Sequence, residues 1–263
     1  MKLIRERNIY ANTRIAQGGI MVQHGTKGSV LGVLIASTLT ACGGGGGGNS
    51  NPPPVPAGSY NLQTAMTALV KSGLSANVKL SGTAIVNGTS NAFTGTGLLT
   101  LSPGASGMFN GATAVLQTED ISGTVTVAGN SAPYTSSVVN AYDGSTTAIL
   151  GETESSELDV ASAPITIPST VGTSLTMLGT LSRYTDGTMS VVLGTTQIGV
   201  NVAMIPVDPG SPEVVQFTFK VYDTHQALVE TDTISYQLTE NSALSFYSAT
   251  AQNSSGMLNI MPQ

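Results

Sequence analysis

Two periodicities divide this chain. Between residues 59 and 73, Leu62, Met66, Leu69 and Val70 recur at i, i+4, i+7 and i+8, which puts one apolar stripe on a helix. Ser59 or Asn61 suits its start, Lys71 complements the negative end of its dipole, and Gly73 suits a left-handed stop. A single short helix ahead of a sheet is expected to plug or cover one end of it. From Leu74 the period becomes two. Val78, Leu80, Ala84 and Val86 share one face and Asn77, Lys79, Ser81 and Thr83 share the other.

The same alternation recurs along the rest of the chain. Asn87-Gly88 predicts a tight turn into a strand carrying Phe93, Leu99 and Leu101, with Gly95 and Gly97 marking a bend or bulge on that face. Further strands are expected over 112–128 (Ile121, Val125 and Val127 together), 134–142, 146–151, 175–184, 189–193, 198–207, 214–222, 227–238, 243–251 and 257–261. The stretch 163–168 holds Pro164 and Pro168, neither able to donate to a ladder, so an edge or a connection is expected there. Ten to twelve strands at hairpin spacing, with no helix between them, predict an all-β antiparallel meander. It would form a curved open barrel or a sandwich, with one short N-terminal helix against it.

One local pattern occurs twice. Asp143-Gly144 runs to Leu150-Gly151 and Thr153, and Asp186-Gly187 runs to Leu193-Gly194 and Thr196, both as D-G-x5-L-G-x-T. Either a hairpin was duplicated or tight hairpins impose the same residues twice; the second reading is favoured.

Composition narrows the function. Charged residues are 9% of the chain and Trp is absent. Beyond residue 41 the strong bases are Lys71, Lys79, Arg183 and Lys220, against fourteen carboxylates. Such an acidic surface argues against nucleic-acid binding, which rests on Lys and Arg neutralising phosphates, and against electrostatic adhesion to anionic lipid.

Cys42 is the sole cysteine, so no intramolecular disulfide can form. It follows an apolar run over 29–41, too short to span a bilayer, and precedes six glycines, Gly43 to Gly48. Leu39-Thr40-Ala41-Cys42 resembles the lipobox of bacterial lipoproteins. The resemblance implies cleavage between Ala41 and Cys42 and acylation of Cys42, which then anchors the chain to a membrane. Gly43 in place of Asp implies sorting to the outer membrane if the source is Gram-negative.

The expected organisation is a signal peptide over 1–41 (translation starting at Met21 would give a leader of ordinary length), an acylated cysteine with a Gly/Pro-rich tether over 42–58, and a single β domain over 59–263. Sixteen residues of tether reach roughly 20–25 Å. The β body itself resembles Ser/Thr-rich domains of envelope lipoproteins, a likeness that carries no activity.

Catalytic sets are sparse. His225 is the only histidine after the leader, in Tyr222-Asp223-Thr224-His225-Gln226, and is read as a solvated loop residue; no serine sits in a G-x-S-x-G elbow. One histidine cannot build a zinc site, and the glycine run lacks the lysine of a phosphate loop. Glu152, Glu154, Glu157 and Asp159 form the densest polar group, a weak Ca²⁺ candidate whose plainer reading is a solvated acidic loop. Met66, Met108, Met177, Met189 and Met204, with Phe217 and Phe219, are expected to fill the core.

These readings point to a lipid-anchored envelope protein with a non-enzymatic structural or interaction role and no cofactor. The alternative is a β-barrel module of the periplasm that binds a small apolar ligand or lipid. The sequence names no protein or ligand partner.

Overall fold

A computed structural model describes residues 15–16, 19–20, 61–86, 89–144, 148–154, 157–185, 187–204, 212–239 and 241–263. Cys42, Ala41, the tether and the Asn87-Gly88 turn lie outside the described residues. Two short strands, β1 (Ile15–Ala16) and β2 (Gly19–Ile20), pair only with each other. The helix α1 (Leu62–Ser72) starts the body. It is followed by β3 (Leu74–Val86), β4 (Thr89–Leu101), β5 (Ala105–Phe109), β6 (Ala112–Val127) and β7 (Asn130–Tyr142). Next come β8 (Ile149–Glu154), β9 (Glu157–Ile165), β10 (Thr176–Tyr184) and β11 (Val192–Met204). The last four strands are β12 (Glu213–Asp223), β13 (Leu228–Leu238), β14 (Leu244–Asn253) and β15 (Gly256–Pro262).

The sheet closes. Each strand from β6 to β15 pairs antiparallel with the next, β15 pairs with β3, β3 with β4, and β4 with β6, so twelve strands form a continuous antiparallel barrel. The expected open barrel or sandwich is thus a closed barrel. Strand β5 stands outside the count: it extends the line of β4 past a break at 102–104 and pairs with the first residues of β6. No strand was expected over 105–109.

At the closing seam, β4 and β6 run in unbroken register from Phe93↔Val127 to Leu101↔Glu119. Gly95, Gly97 and Gly123 all lie on it, without the bulge that glycine in a strand suggested. Their role is close approach. A Cβ on Gly123 would stand 2.3 Å from the Thr96 carbonyl oxygen and 2.7 Å from Gly97 Cα. The tight coiling that closure needs leaves no room there for a side chain.

Inside and outside separate cleanly. Val78, Leu80, Leu99, Ile121, Leu181, Ile198, Val200, Phe217, Phe219, Ile234 and Ile260 lie in one buried cluster that fills the barrel. The outer wall is hydroxyl-rich. Thr218, Thr233, Thr250, Asn259, Ser81, Thr94, Thr126 and Ser131 are successive cross-strand partners on eight neighbouring strands. A membrane-spanning barrel turns an apolar band outward and keeps its lumen polar; this wall is the reverse, and it faces water. Among the described residues no helix is long and apolar enough to cross a membrane.

Helix α1 crosses one mouth of the barrel. Asn61 caps it, its side chain accepting from Thr64 N–H, and Gly73 ends it at φ 66°. Leu62, Ala65, Met66, Leu69 and Val70 are buried in the barrel cluster, as the stripe predicted. Leu62 N–H donates to Ser169 O on the β9–β10 connection, and Gly104 N–H donates to Val70 O beyond the end of β4. Eleven residues of helix span about 16 Å, so the plug is tied to the rim at both ends.

Two expectations need correction. Met108, Met177, Met189 and Met204 are exposed, because they lie on the β5–β6 hairpin, at strand ends and in the β10–β11 connection; only Met66 among the five is core. Second, 149–165 is a hairpin of two wall strands rather than an acidic loop. Pro164 lies within β9 but has no register partner on β8 or β10, and Pro168 lies in the β9–β10 connection. The two D-G-x5-L-G-x-T copies, for their part, fall on hairpins an odd number of strands apart, so they open at opposite mouths. What they share is a glycine (Gly151 at φ 149°, Gly194 at φ 147°) set beside a register shift. That is hairpin chemistry, not a repeated unit.

Gly123→Val tests the seam. Overpacking against the Thr96 carbonyl should lower stability by about 1–3 kcal/mol or more, read as a fall in the urea midpoint; an unmoved midpoint would mean the β4–β6 ladder does not hold as described.

Candidate functional site

The polar side chains inside the barrel are arranged in rows set by register. Gln117 on β6 is paired with Asn140 on β7, Asn140 with Glu152 on β8, Glu152 with Asp159 on β9, and Asp159 with Arg183 on β10. Five consecutive strands therefore place a polar residue at one level of the wall, and all five are buried. The next row up carries Glu119, Val138, Glu154 and Glu157. Glu230 and Asp232 on β13, both buried, complete the group; Asp232 is close enough to feel Glu152 and Glu154. Seven carboxyls and one guanidinium thus make up this group, and Glu213, on the core-facing side of β12, is a further buried carboxyl.

A single backbone feature turns part of this group inward. In β8 strict alternation would put Leu150, Glu152 and Glu154 on one face. The ladders to β7 and β9 both shift register beside Gly151. Ile149 accordingly joins the barrel core, Leu150 packs outside against Phe109, Ala114, Ala141 and Leu158, and Glu152 and Glu154 point in. A Cβ on Gly151 would lie 2.0 Å from the Asp159 carbonyl oxygen and 2.7 Å from the Phe109 ring, so only glycine fits.

Arg183 holds the nearer carboxylates. Its Nη2 donates to Glu157 Oε2 at 2.6 Å, and its Nε stands 3.3 Å from Asp159 Oδ2, with the arginine and aspartate side chains 4% and 5% exposed. Thr196 Oγ1 donates to the same Asp159 oxygen at 3.1 Å. Gln117 ties the group to the plug: its Nε2 donates to Ser102 O at 3.0 Å and to Leu69 O at 3.2 Å, satisfying a terminal helix carbonyl. Gln117 Oε1, both amide atoms of Asn140, the Tyr142 hydroxyl and one oxygen each of Glu119 and Glu152 are buried with no hydrogen-bond partner.

Burial dominates the acid-base behaviour. Desolvation, then neighbouring carboxylates, raises Glu119 well above the ordinary range. Glu152 is raised in the same way, by burial and then by Asp159. Glu154 is pushed up to about 8, by burial and then by Glu157 and Glu230. Asp159 rises to about 7 because burial outweighs Arg183 and Thr196. Asp232 is raised by burial and then by Glu230 and Glu152. Tyr134, Tyr142 and Tyr236 are raised for the same leading reason.

The predicted site residues fare differently. Glu152, Glu154, Glu157 and Asp159 come together, but as a buried interior cluster. Among the described residues no three His, Cys, Asp or Glu side chains converge on a metal position, and Arg183 occupies two of the four. His225 is a loop residue, its side chain 88% exposed and its Nδ1 3.8 Å from Asp223 Oδ2. Asp223 caps that turn by accepting from His225 N–H at 2.8 Å and Ala227 N–H at 2.9 Å. Backbone donation, first from Ala227, lowers its pKa. Phe217 and Phe219 are core, with Phe217 edge-on to Tyr236 at 6.1 Å. Arg183, Gln117, Asn140, Glu119, Glu230 and Asp232 were not singled out by sequence. The available signal was the placement of charged residues at core positions of otherwise apolar strands.

No protein-family model matches the chain, and no curated protein sequence does. Among solved structures, a domain assigned to outer membrane lipoprotein sorting from Vibrio parahaemolyticus is 11% identical, with 77% of this chain and 90% of that chain covered, at a TM-score of 0.25. A likeness at that level carries no argument about fold or role.

Carboxyls raised by folding keep more protons in the folded than in the unfolded state. The stability they contribute is complete below the ordinary carboxyl range and is lost as pH rises, the Glu154 share by about pH 8. Urea unfolding should therefore show a more stable protein at about pH 5 than at about pH 8.5. Arg183→Met should cost about 3–5 kcal/mol at the higher pH, by stranding Glu157 and Asp159, and less at the lower, where protons replace the guanidinium.

Proposed function

We propose that the protein is a lipid-anchored component of the bacterial cell envelope that acts without catalysis, as a structural or interaction module held off the membrane by the 42–58 tether. The observation that carries this reading is the orientation of the wall. A barrel with aliphatic residues inside and Thr, Ser and Asn outside faces water, so attachment to a membrane falls to the lipobox cysteine. Sorting to the outer membrane follows from Gly43 where the source is Gram-negative.

The non-enzymatic part of the reading is supported by the setting of the sole candidate base, since His225 sits in solvent at a hairpin turn with Asp223 as its cap. Among the two roles, the occupied interior favours the structural or interaction one. Tyr142, Tyr236, Phe217, Phe219, Leu99 and Ile121 are fully buried inside the wall, and Leu62 and Met66 of α1 fill the mouth. A small apolar ligand would have to displace some of them.

Metabolic labelling with a palmitate analogue tests the proposal. The wild-type protein should take the label and fractionate with membranes. Cys42→Ser should lose the label and leave the membrane fraction; a serine variant that stays membrane-bound would overturn the reading.

A further inference from the structure

We propose that the β8–β9 hairpin is a proton-latched section of the barrel wall, closed while its inward Glu152 and Glu154 are protonated and opened when they ionise. The proposal is independent of the lipid anchor. It rests on two geometric facts that fall in the same place.

The first is the thinness of the wall there. β3–β4 and β6–β7 are joined by ladders of thirteen register pairs each. β8 is held to β7 by five, and β9 to β10 by four, Leu158↔Tyr184 to Ala161↔Leu181. With few ladder bonds, this hairpin is the section most readily opened locally. The second is that it carries Glu152, Glu154, Glu157 and Asp159, four of the seven carboxyls of the group, on the two barrel strands with the fewest register pairs in total.

The groups facing them are Glu119 from β6, Tyr134 and Tyr142 from β7, Arg183 from β10, and Glu230, Asp232 and Tyr236 from β13. The elements packed against the hairpin thus supply one cation in all, and it already serves Glu157 and Asp159. Ionising Glu152 and Glu154 would put uncompensated negative charge beside Glu119, Glu230 and Asp232 in a low-dielectric interior, where repulsion is strong.

Protons also complete the hydrogen bonding. The unpartnered buried atoms here are mainly acceptors: Gln117 Oε1, Asn140 Oδ1, and one oxygen each of Glu119 and Glu152. Each proton taken up turns a carboxyl from an acceptor into a donor that can serve such a neighbour. The value of about 8 that burial gives Glu154 puts the opening just above neutrality.

Hydrogen exchange on the full chain, corrected for the intrinsic pH dependence of amide exchange, tests this. Between about pH 5.5 and pH 8.5, protection over 149–165 should fall by about tenfold or more, the factor carried by one pKa unit, while protection over 74–101 holds. Glu152→Gln with Glu154→Gln, which mimics the protonated pair, should keep the hairpin protected at the higher pH. In the wild type alone, protection over 149–165 that does not change, or that falls together with 74–101, overturns the latch, whether or not the double variant folds. Added calcium or spermidine restoring protection at the higher pH would also overturn it, assigning the cluster to a bound cation instead of protons.

Discussion

Closure of the sheet by β4 against β6 is the constraint from which the rest follows. Nine register pairs, from Phe93↔Val127 to Leu101↔Glu119, turn a meander into a barrel and leave no main-sheet edge between β3 and β15 for another chain to extend. Once the sheet is closed, period-two alternation becomes a division between lumen and solvent. Most aliphatic and aromatic residues occupy the inside, apart from the small outer cluster under β5, and much of the outer wall is made of threonine and serine. The cost of closure falls at Gly95, Gly97 and Gly123, where two strands approach so closely that a methyl group has nowhere to go.

A lumen this apolar makes each polar side chain in it costly, unless paired. Gln117 is explained by the plug, whose last carbonyls it caps. Arg183, Glu157, Asp159 and Thr196 explain one another through an ion pair and hydrogen bonds. Glu119, Asn140, Tyr142, Glu152 and Asp232 have no such account from stability alone. A protein selected only to hold a barrel together would replace them with Val and Leu. Their convergence around the inward face of the β8–β9 hairpin is what sets this barrel apart from a filled, inert one.

Much of the fold was legible because it is written in local periodicity. The stripe of Leu62, Met66, Leu69 and Val70 located α1 to within a few residues, and the alternation in 74–86 and 214–222 assigned inner and outer faces correctly. What failed was non-local. Nothing local to Phe93 or Val127 says that their strands meet, since β5 intervenes and the seam is marked only by glycines that also suit bends. The acidic stretch 152–159 looks like a solvated loop because the register shift at Gly151 breaks the alternation just before it. A one-residue slip turns two glutamates from the surface to the interior. The methionines misled for a simpler reason: an apolar side chain at a strand end or hairpin tip need not be inside.

The two ends of the body lie at the same mouth. The chain enters at Asn61, beside the plug, and it finishes at Gln263, whose N–H donates to Asn77 O at 3.0 Å and whose side chain reaches Val78 O at 3.1 Å. Both attachment points, Asn61 and Gln263, therefore lie on the plugged side. The opposite rim, built from the β6–β7, β8–β9, β10–β11, β12–β13 and β14–β15 hairpins, is the pole turned away from both attachment points.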